Sequence, residues 1–350
     1  MKIVAVLFPA ERAVGNPDVE LCAENSLGLK DWLAAKGHDF IGLTDAGAGL
    51  DKLLPTTDVL ITTPFWPAYV TRERITAARN LRLIITAGVG SDHVDLAAAA
   101  ERGITAAEIT GSNVVSVAES TVALILALMK NLDTAHKNAV EGGWDIAELT
   151  AKSLDLEDKV VGLFGMGRIG YRVALRLKPF DVRTLYHDIR RLSTAEEQLA
   201  GIRYASFDEL ISQSDVVSIH SPLTPATRGL FNRDVLFRMK KGAHLVNTAR
   251  GAIVDTEALV DALEKGHLAG YAGDVWYPQP APRDHPWRRA SKALMIPHIT
   301  GASLDAQRRI ARGVREILEC FLAGQPIHPD HLIVHAGKIV SPSYRYAYEK

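Results

Sequence analysis

The sequence predicts an α/β protein of two doubly wound parallel-sheet domains, the second inserted into the first. Three observations carry this expectation. The chain has 350 residues, 47% of them hydrophobic and 23% charged, enough to bury more than one core. Short β-branched runs alternate with helical patterns from the start, as βα units do. That alternation begins afresh near residue 159, after a long apolar helical stretch. In the first series the strand-like runs are Ile3 to Phe8, Val59 to Thr62 and Leu83 to Thr86, with a helix-like pattern from Val19 to Ala35. Ser116 and Glu119 have capping-box spacing, and one apolar-rich helix is expected from there to Val140. The second series runs through Lys159 to Phe164, Val182 to Tyr186, Val216 to Ile219 and Leu245 to Asn247. After Pro297 the helical stretch Leu304 to Phe321 has no nearby strand of its own and leads into a Pro- and His-containing tail. It is expected to return to the first domain, giving residues 1–113 plus 300–350 for one domain and 114–299 for the other.

Charge and composition exclude several classes. Lys and Arg number 40 against 41 Asp and Glu, so the basic excess that a nucleic-acid backbone demands is missing. The two cysteines, Cys22 and Cys320, form no metal or redox spacing, and a reduced cytoplasmic protein is expected, with no metal. The opening Met1 to Phe8 superficially resembles a signal sequence, but Pro9, Glu11 and Arg12 cut the apolar run short. Val122 to Met129 falls far short of the roughly 20 residues of a membrane span, so a soluble chain is expected.

Directly after the strand ending at Phe164 comes Gly165-Met166-Gly167-Arg168-Ile169-Gly170, opening a helix to about Leu177. Alone the pattern is weak; a strand before and a helix after make it a Rossmann dinucleotide loop. Gly165 permits the tight turn, Gly167 lets a pyrophosphate approach the backbone, and Gly170 lets helix pack on strand. The helix N-terminus, from Arg168 and Ile169 onward, offers free N–H groups to the phosphates. Asp188, 18 residues beyond Gly170, is placed to accept hydrogen bonds from ribose hydroxyls. Its charge repels a 2′-phosphate, which favours NAD over NADP. Arg190 and Arg191 are either softeners of that choice or solvated loop charges.

A set of stretches then brings a family into view. They are Thr63-Pro64-Phe65-Trp66-Pro67, Ala87-Gly88-Val89-Gly90-Ser91-Asp92-His93, Thr110-Gly111-Ser112-Asn113, Asn247-Thr248-Ala249-Arg250-Gly251, Gly270-Tyr271-Ala272-Gly273-Asp274-Val275-Trp276 and Pro297-His298-Ile299-Thr300-Gly301. Over roughly residues 60 to 315 the chain resembles the NAD-dependent formate dehydrogenases within the D-2-hydroxyacid dehydrogenase superfamily. That superfamily uses an Arg, an acid and a His, with the acid in a D-V-x-x-x-E-P context. Here the context reads Asp274-Val275-Trp276-Tyr277-Pro278-Gln279-Pro280, with glutamine in place of the acid. Oxidising a 2-hydroxy acid removes a hydroxyl proton along with the hydride and needs a tuned His base. Formate gives up only its hydride, for which a neutral Gln279 orienting His298 suffices.

The resemblance implies the remaining roles. Arg250 fixes the formate carboxylate through a forked pair, and Asn113 donates a second hydrogen bond. His298 polarises the substrate. Pro64, Phe65 and Val89 form an apolar wall, and Asp274 with Thr300 grips the nicotinamide carboxamide. Pro222, Thr248, His298 and Gly301 complete the NAD contacts, and a homodimer through the nucleotide domain is implied. His93, His187, His220 and His244 are read as structural or surface residues. The chain departs from the formate branch in two ways. Ser221-Pro222-Leu223-Thr224 lacks the branch's His after Pro-Leu, and the N-terminal extension some members carry is expected to be absent. Two rival readings stay open: a dehydrogenase or reductase of small 2-hydroxy or 2-keto acids, against which Gln279 argues, and an NAD-sensing binding protein on the same fold.

Overall fold

The computed structural model describes residues 1–10, 15–290 and 292–348, so Glu11 and Arg12 lie outside the described residues. The chain divides into two units, Met1–Asn113 with Gly301–Lys350, and Val114–Thr300.

The first unit holds β1 (Lys2–Val6), β2 (Asp39–Leu43), β3 (Val59–Thr62), β4 (Leu83–Thr86), β5 (Thr105–Glu108), β13 (Leu332–His335) and β14 (Lys338–Ile339). They form one sheet in the order β14-β13-β5-β4-β3-β1-β2. The first five strands are parallel, and β13 runs antiparallel to β5. Strands β3 and β4 are buried along their whole length, which is why they read as continuous apolar runs rather than alternating ones. The helix Leu304–Leu322 buries Ile310, Val314 and Ile317 in the same core as Ile3, Ile61 and Ile85. The segment after Pro297 therefore does return to this unit, and it also adds β13 and β14, which no sequence pattern announced.

The helix expected from Val19 to Ala35 is mostly absent. Only Lys30–Ala35 is α-helical, preceded by a 3-10 turn at Ser26–Gly28. Ser26 and Leu27 take φ of 53° and 57°, and consecutive left-handed residues cannot continue a right-handed helix.

The second unit holds β6 (Val160–Phe164), β7 (Arg183–His187), β8 (Ile202–Tyr204), β9 (Val216–Ile219), β10 (His244–Asn247), β11 (Gly270–Gly273) and β12 (Ala293–Met295). Their order is β12-β11-β10-β9-β6-β7-β8, parallel throughout. The winding reverses at β6, whose neighbours are β7 and β9. The loops after β6 and β9 therefore leave the sheet on opposite faces, and open α/β sheets bind ligands at such a point.

The long helix also differs from expectation. It starts at Val114, so Ser116 lies inside its first turn and is not its cap, and Glu119 instead pairs with Arg176 at 3.0 Å. It ends at Met129; Asn131, at φ 51°, starts a second helix, Leu132–Val140, bent 65° from the first. Among the described residues no single helix is long and apolar enough to cross a membrane.

Candidate active site

The glycine loop follows β6 as its spacing requires. Gly165 has φ +97°, and a Cβ there would come within 2.6 Å of the Ser221 nitrogen. A Cβ on Gly170 would collide with the Gly165 carbonyl oxygen, so this glycine seats the helix Arg168–Leu177 against the turn. Gly167 differs: a Cβ there would meet nothing within 4 Å. It caps the helix without a side-chain bond, and the room beside it suits a phosphate at the helix N-terminus.

Asp188 follows β7 directly. Its Oδ2 accepts the Met166 N–H at 2.6 Å and its Oδ1 accepts the Arg190 N–H at 3.0 Å, so the carboxylate ties the glycine loop to the strand end. Arg191 pairs with Glu197 at 2.9 Å. Burial, reinforced by its hydrogen bond to Glu197 at 2.6 Å, pushes the Tyr186 phenol up to about 12 and keeps it a neutral donor. Arg190 is exposed at this edge. On the other side of the switch point, Ser221 Oγ and His220 Nδ1 are enclosed without a hydrogen-bond partner, next to Pro222.

Asp274 follows β11 and is fully buried. Thr300 gives Oδ2 two bonds, from its N–H at 2.9 Å and its hydroxyl at 2.5 Å. Oδ1 is left without a partner, and a buried carboxylate oxygen in that state fits a donor such as a carboxamide N–H. The same two bonds hold Thr300 in the second unit, so the boundary falls after it, with Gly301 opening the return segment. Thr248 is buried, its hydroxyl 2.9 Å from that of Thr121.

Arg250 stands just beyond β10, half-buried, with Nη1 donating to the Ala249 carbonyl at 2.7 Å. Gln279 and His298 come from two segments joined by the Trp276 indole, which donates to the Ile296 carbonyl at 2.9 Å. The Gln279 amide meets the imidazole at Nδ1, with Nε2 at 2.9 Å and Oε1 at 3.1 Å. A carboxamide offers a donor and an acceptor, so it serves either tautomer of His298.

Within the first unit Pro64, Phe65 and Val89 are neighbours. Gly88, at φ +144°, comes so close to Pro64 that a Cβ there would lie 2.9 Å from its ring, and 3.4 Å from the Phe65 ring. Asn113 is buried with its Oδ1 unpartnered. Sequence reasoning missed the residues that hold the Val89 loop. The buried Glu108 accepts the Gly90 N–H and the Ser91 hydroxyl, each at 3.0 Å, and the Ser91 N–H donates to the Tyr344 hydroxyl at 2.7 Å. An acid ending a buried strand was a usable signal; a partner 253 residues away gave none.

Among the described residues no group of three or more His, Cys, Asp or Glu is placed to hold a metal. The fold and these residues define a hydride-transferring dehydrogenase with a dinucleotide domain. The sequence profile of the D-isomer specific 2-hydroxyacid dehydrogenase, NAD binding domain, matches residues 122–300, and the chain belongs to this family. Within it the similarity is to formate dehydrogenases. The mitochondrial formate dehydrogenase of Solanum tuberosum is 47% identical over 349 residues, covering 98% of this chain and 91% of that one. The formate dehydrogenase of Candida boidinii is 45% identical over 358 residues, covering 98% of each. Among solved structures, the NAD-dependent formate dehydrogenase from Staphylococcus aureus, in complex with NAD, superposes with a TM-score of 0.90 at 51% identity, covering 95% of this chain and 99% of that one. The Granulicella formate dehydrogenase gives 0.94 at 45% identity, covering 97% and 100%.

Proposed function

We propose that the chain oxidises formate, passing its hydride to NAD+ and releasing carbon dioxide. The observation that carries this reading is the neutral amide of Gln279 on His298 Nδ1, at 2.9 Å, where the superfamily's acid would stand. Formate plus NAD+ gives carbon dioxide plus NADH with no proton to remove, so the imidazole needs orientation and not a carboxylate to raise its basicity.

NAD, when bound, supplies the carbon that accepts the hydride. Gly165, Gly167, Arg168, Ile169 and Gly170 hold its pyrophosphate, Asp188 the adenosine ribose, and Pro222, Thr248 and Gly301 line its path. Asp274 takes the carboxamide, held in place by Thr300. Arg250 fixes the formate carboxylate as a forked, charge-assisted pair, and Asn113 adds a neutral hydrogen bond. Pro64, Phe65 and Val89 keep water from the small anion, and His298 polarises it. Orientation of the formate C–H bond is the main catalytic contribution of these residues.

The test is the absorbance of reduced nicotinamide on adding formate, with lactate and glycerate as controls. Turnover with formate alone is expected. Turnover with lactate or glycerate and none with formate would reject the reading.

We further propose a homodimer in the cytoplasm. Both cysteines are free thiols, as a reducing compartment maintains. The dinucleotide unit also leaves Leu132, Val140, Trp144 and Ile146 exposed, an apolar arm suited to a second copy of the chain.

A further inference from the structure

We propose that Asn247 is the positioning residue for Arg250: its side chain closes the turn from which the guanidinium projects. This rests on the reading of Arg250 as the substrate anchor. Asn247 is the last residue of β10 and is fully buried. Its carboxamide folds over the next three residues. Oδ1 accepts the Ala249 N–H at 3.0 Å, and Nδ2 donates to the Arg250 carbonyl at 2.8 Å. The backbone of Arg250 is thereby tied to the end of a central strand by one rigid planar group.

The other side of the turn is fixed by close approach. A Cβ on Gly251 would come within 2.5 Å of the Trp276 carbonyl carbon, so the chain lies directly against the segment that leads to Gln279. Trp276 in turn bonds Ile296, two residues before His298. Asn247 and Gly251 thus set the Arg250 backbone in one frame with the Gln279–His298 pair.

Such a frame matters for a substrate as small as formate. A carboxylate with a single C–H offers nothing but its two oxygens to orient it, and a guanidinium on a long side chain gives a forked pair of fixed direction only from a fixed backbone. The residue type follows from the two bonds. Asparagine alone at this length has an acceptor and a donor on one carbon. Aspartate keeps the acceptor for Ala249 and sets an oxygen against the Arg250 carbonyl. Serine can still accept from the N–H two residues on but is too short to reach that carbonyl, and it adds no charge.

The experiment compares Asn247→Asp and Asn247→Ser in the full-length enzyme. It measures kcat and KM for formate, the Kd of NAD by tryptophan fluorescence quenching, and folding by circular dichroism. The expected result is a formate KM raised at least tenfold in both variants, with the NAD Kd within twofold of the parent. An unchanged formate KM in a folded variant overturns the proposal. So does an NAD Kd that weakens in step with the formate KM, or failure of both variants to fold, since Asn247 would then serve the sheet as a whole. Arg250→Ala is measured alongside: if it keeps the parent's formate KM and kcat, the reading of Arg250 fails, whatever Asn247 does.

Discussion

Glutamine and glutamate have the same shape, so at position 279 the difference between them is one of charge. The Gln279 amide lies 2.9 Å from His298 Nδ1 and places no charge at that position. A carboxylate at that distance favours the protonated ring and raises its pKa. Gln279→Glu is therefore expected to introduce a new ionisation into the pH profile of kcat for formate, where the parent profile stays flat across the neutral range. The variant should also gain weak turnover of 2-keto acids, for which a protonated His is a general acid. Superimposable profiles would show that the contact does not govern the imidazole. A second histidine acts on stability instead. His244 is buried at the start of β10, and burial, partly offset by Asp215, lowers its pKa below 6.5. An unfolded chain therefore binds the proton first as the pH falls. The stability from neutral His244 is complete above pH 6.5 and is lost below it, by up to about 1.4 kcal/mol per pH unit. Urea unfolding at neutral pH and at about one to two units below the ordinary His pKa should show a smaller loss in His244→Phe than in the parent. Equal losses would mean that His244 does not carry this dependence.

At the scale of elements, the strand end at Asp188 and the loop at Gly165–Gly170 act as one piece, because the carboxylate accepts the Met166 N–H at 2.6 Å. Asp188→Gln removes the charge that repels a 2′-phosphate, with Arg190 exposed nearby to attract it. The ratio of kcat/KM for NADP over NAD is expected to rise at least about tenfold, or roughly 1.4 kcal/mol. The longer neutral side chain should also weaken NAD itself, through the loop. An unchanged ratio would place ribose recognition elsewhere. This pairing shows what sequence spacing reaches and what it does not. Spacing located Asp188, but its bond to Met166 depends on how the loop curls back. Buried strands such as β3, β4 and β9 were legible with their limits because continuous apolar runs leave no other reading. The helices failed where local backbone overrode periodicity: Ser26 and Leu27 end one pattern in left-handed conformations, and Asn131 breaks the other. Strand β14 is too short to announce itself, and β13, as long as β3, stands in the tail outside the βα alternation and forms on the edge that β5 offers.

For the molecule as a whole, two runs of βα alternation made both sheets legible. The contacts that close the first unit were not, because they join distant segments: Ser91 to Tyr344, and the Leu21 N–H to Gln307 Oε1 at 3.0 Å. The fold leaves one apolar arm of the dinucleotide unit uncovered. The helix Leu132–Val140 buries none of its residues, and Trp144 just beyond it is 83% exposed. A bent helix held away from its own core adds no apolar burial to its unit, and a tryptophan in water forgoes the stabilisation its burial would give. In the proposed homodimer a two-fold partner would resolve both, because each copy would cover the other's arm and every apolar side chain would count twice. Burying a side chain of this kind contributes about 1.5 to 3 kcal/mol, so one aspartate replacement removes several kcal/mol from a symmetric interface. Trp144→Asp is thus expected to raise the dimer dissociation constant by at least about a hundredfold, or roughly 2.7 kcal/mol. The exposed site makes little contribution within the chain itself, so circular dichroism should remain that of the parent. Sedimentation velocity over a concentration series decides the matter. A parent that sediments as a monomer, or a variant that stays dimeric at the same concentrations, would remove this arm from the interface.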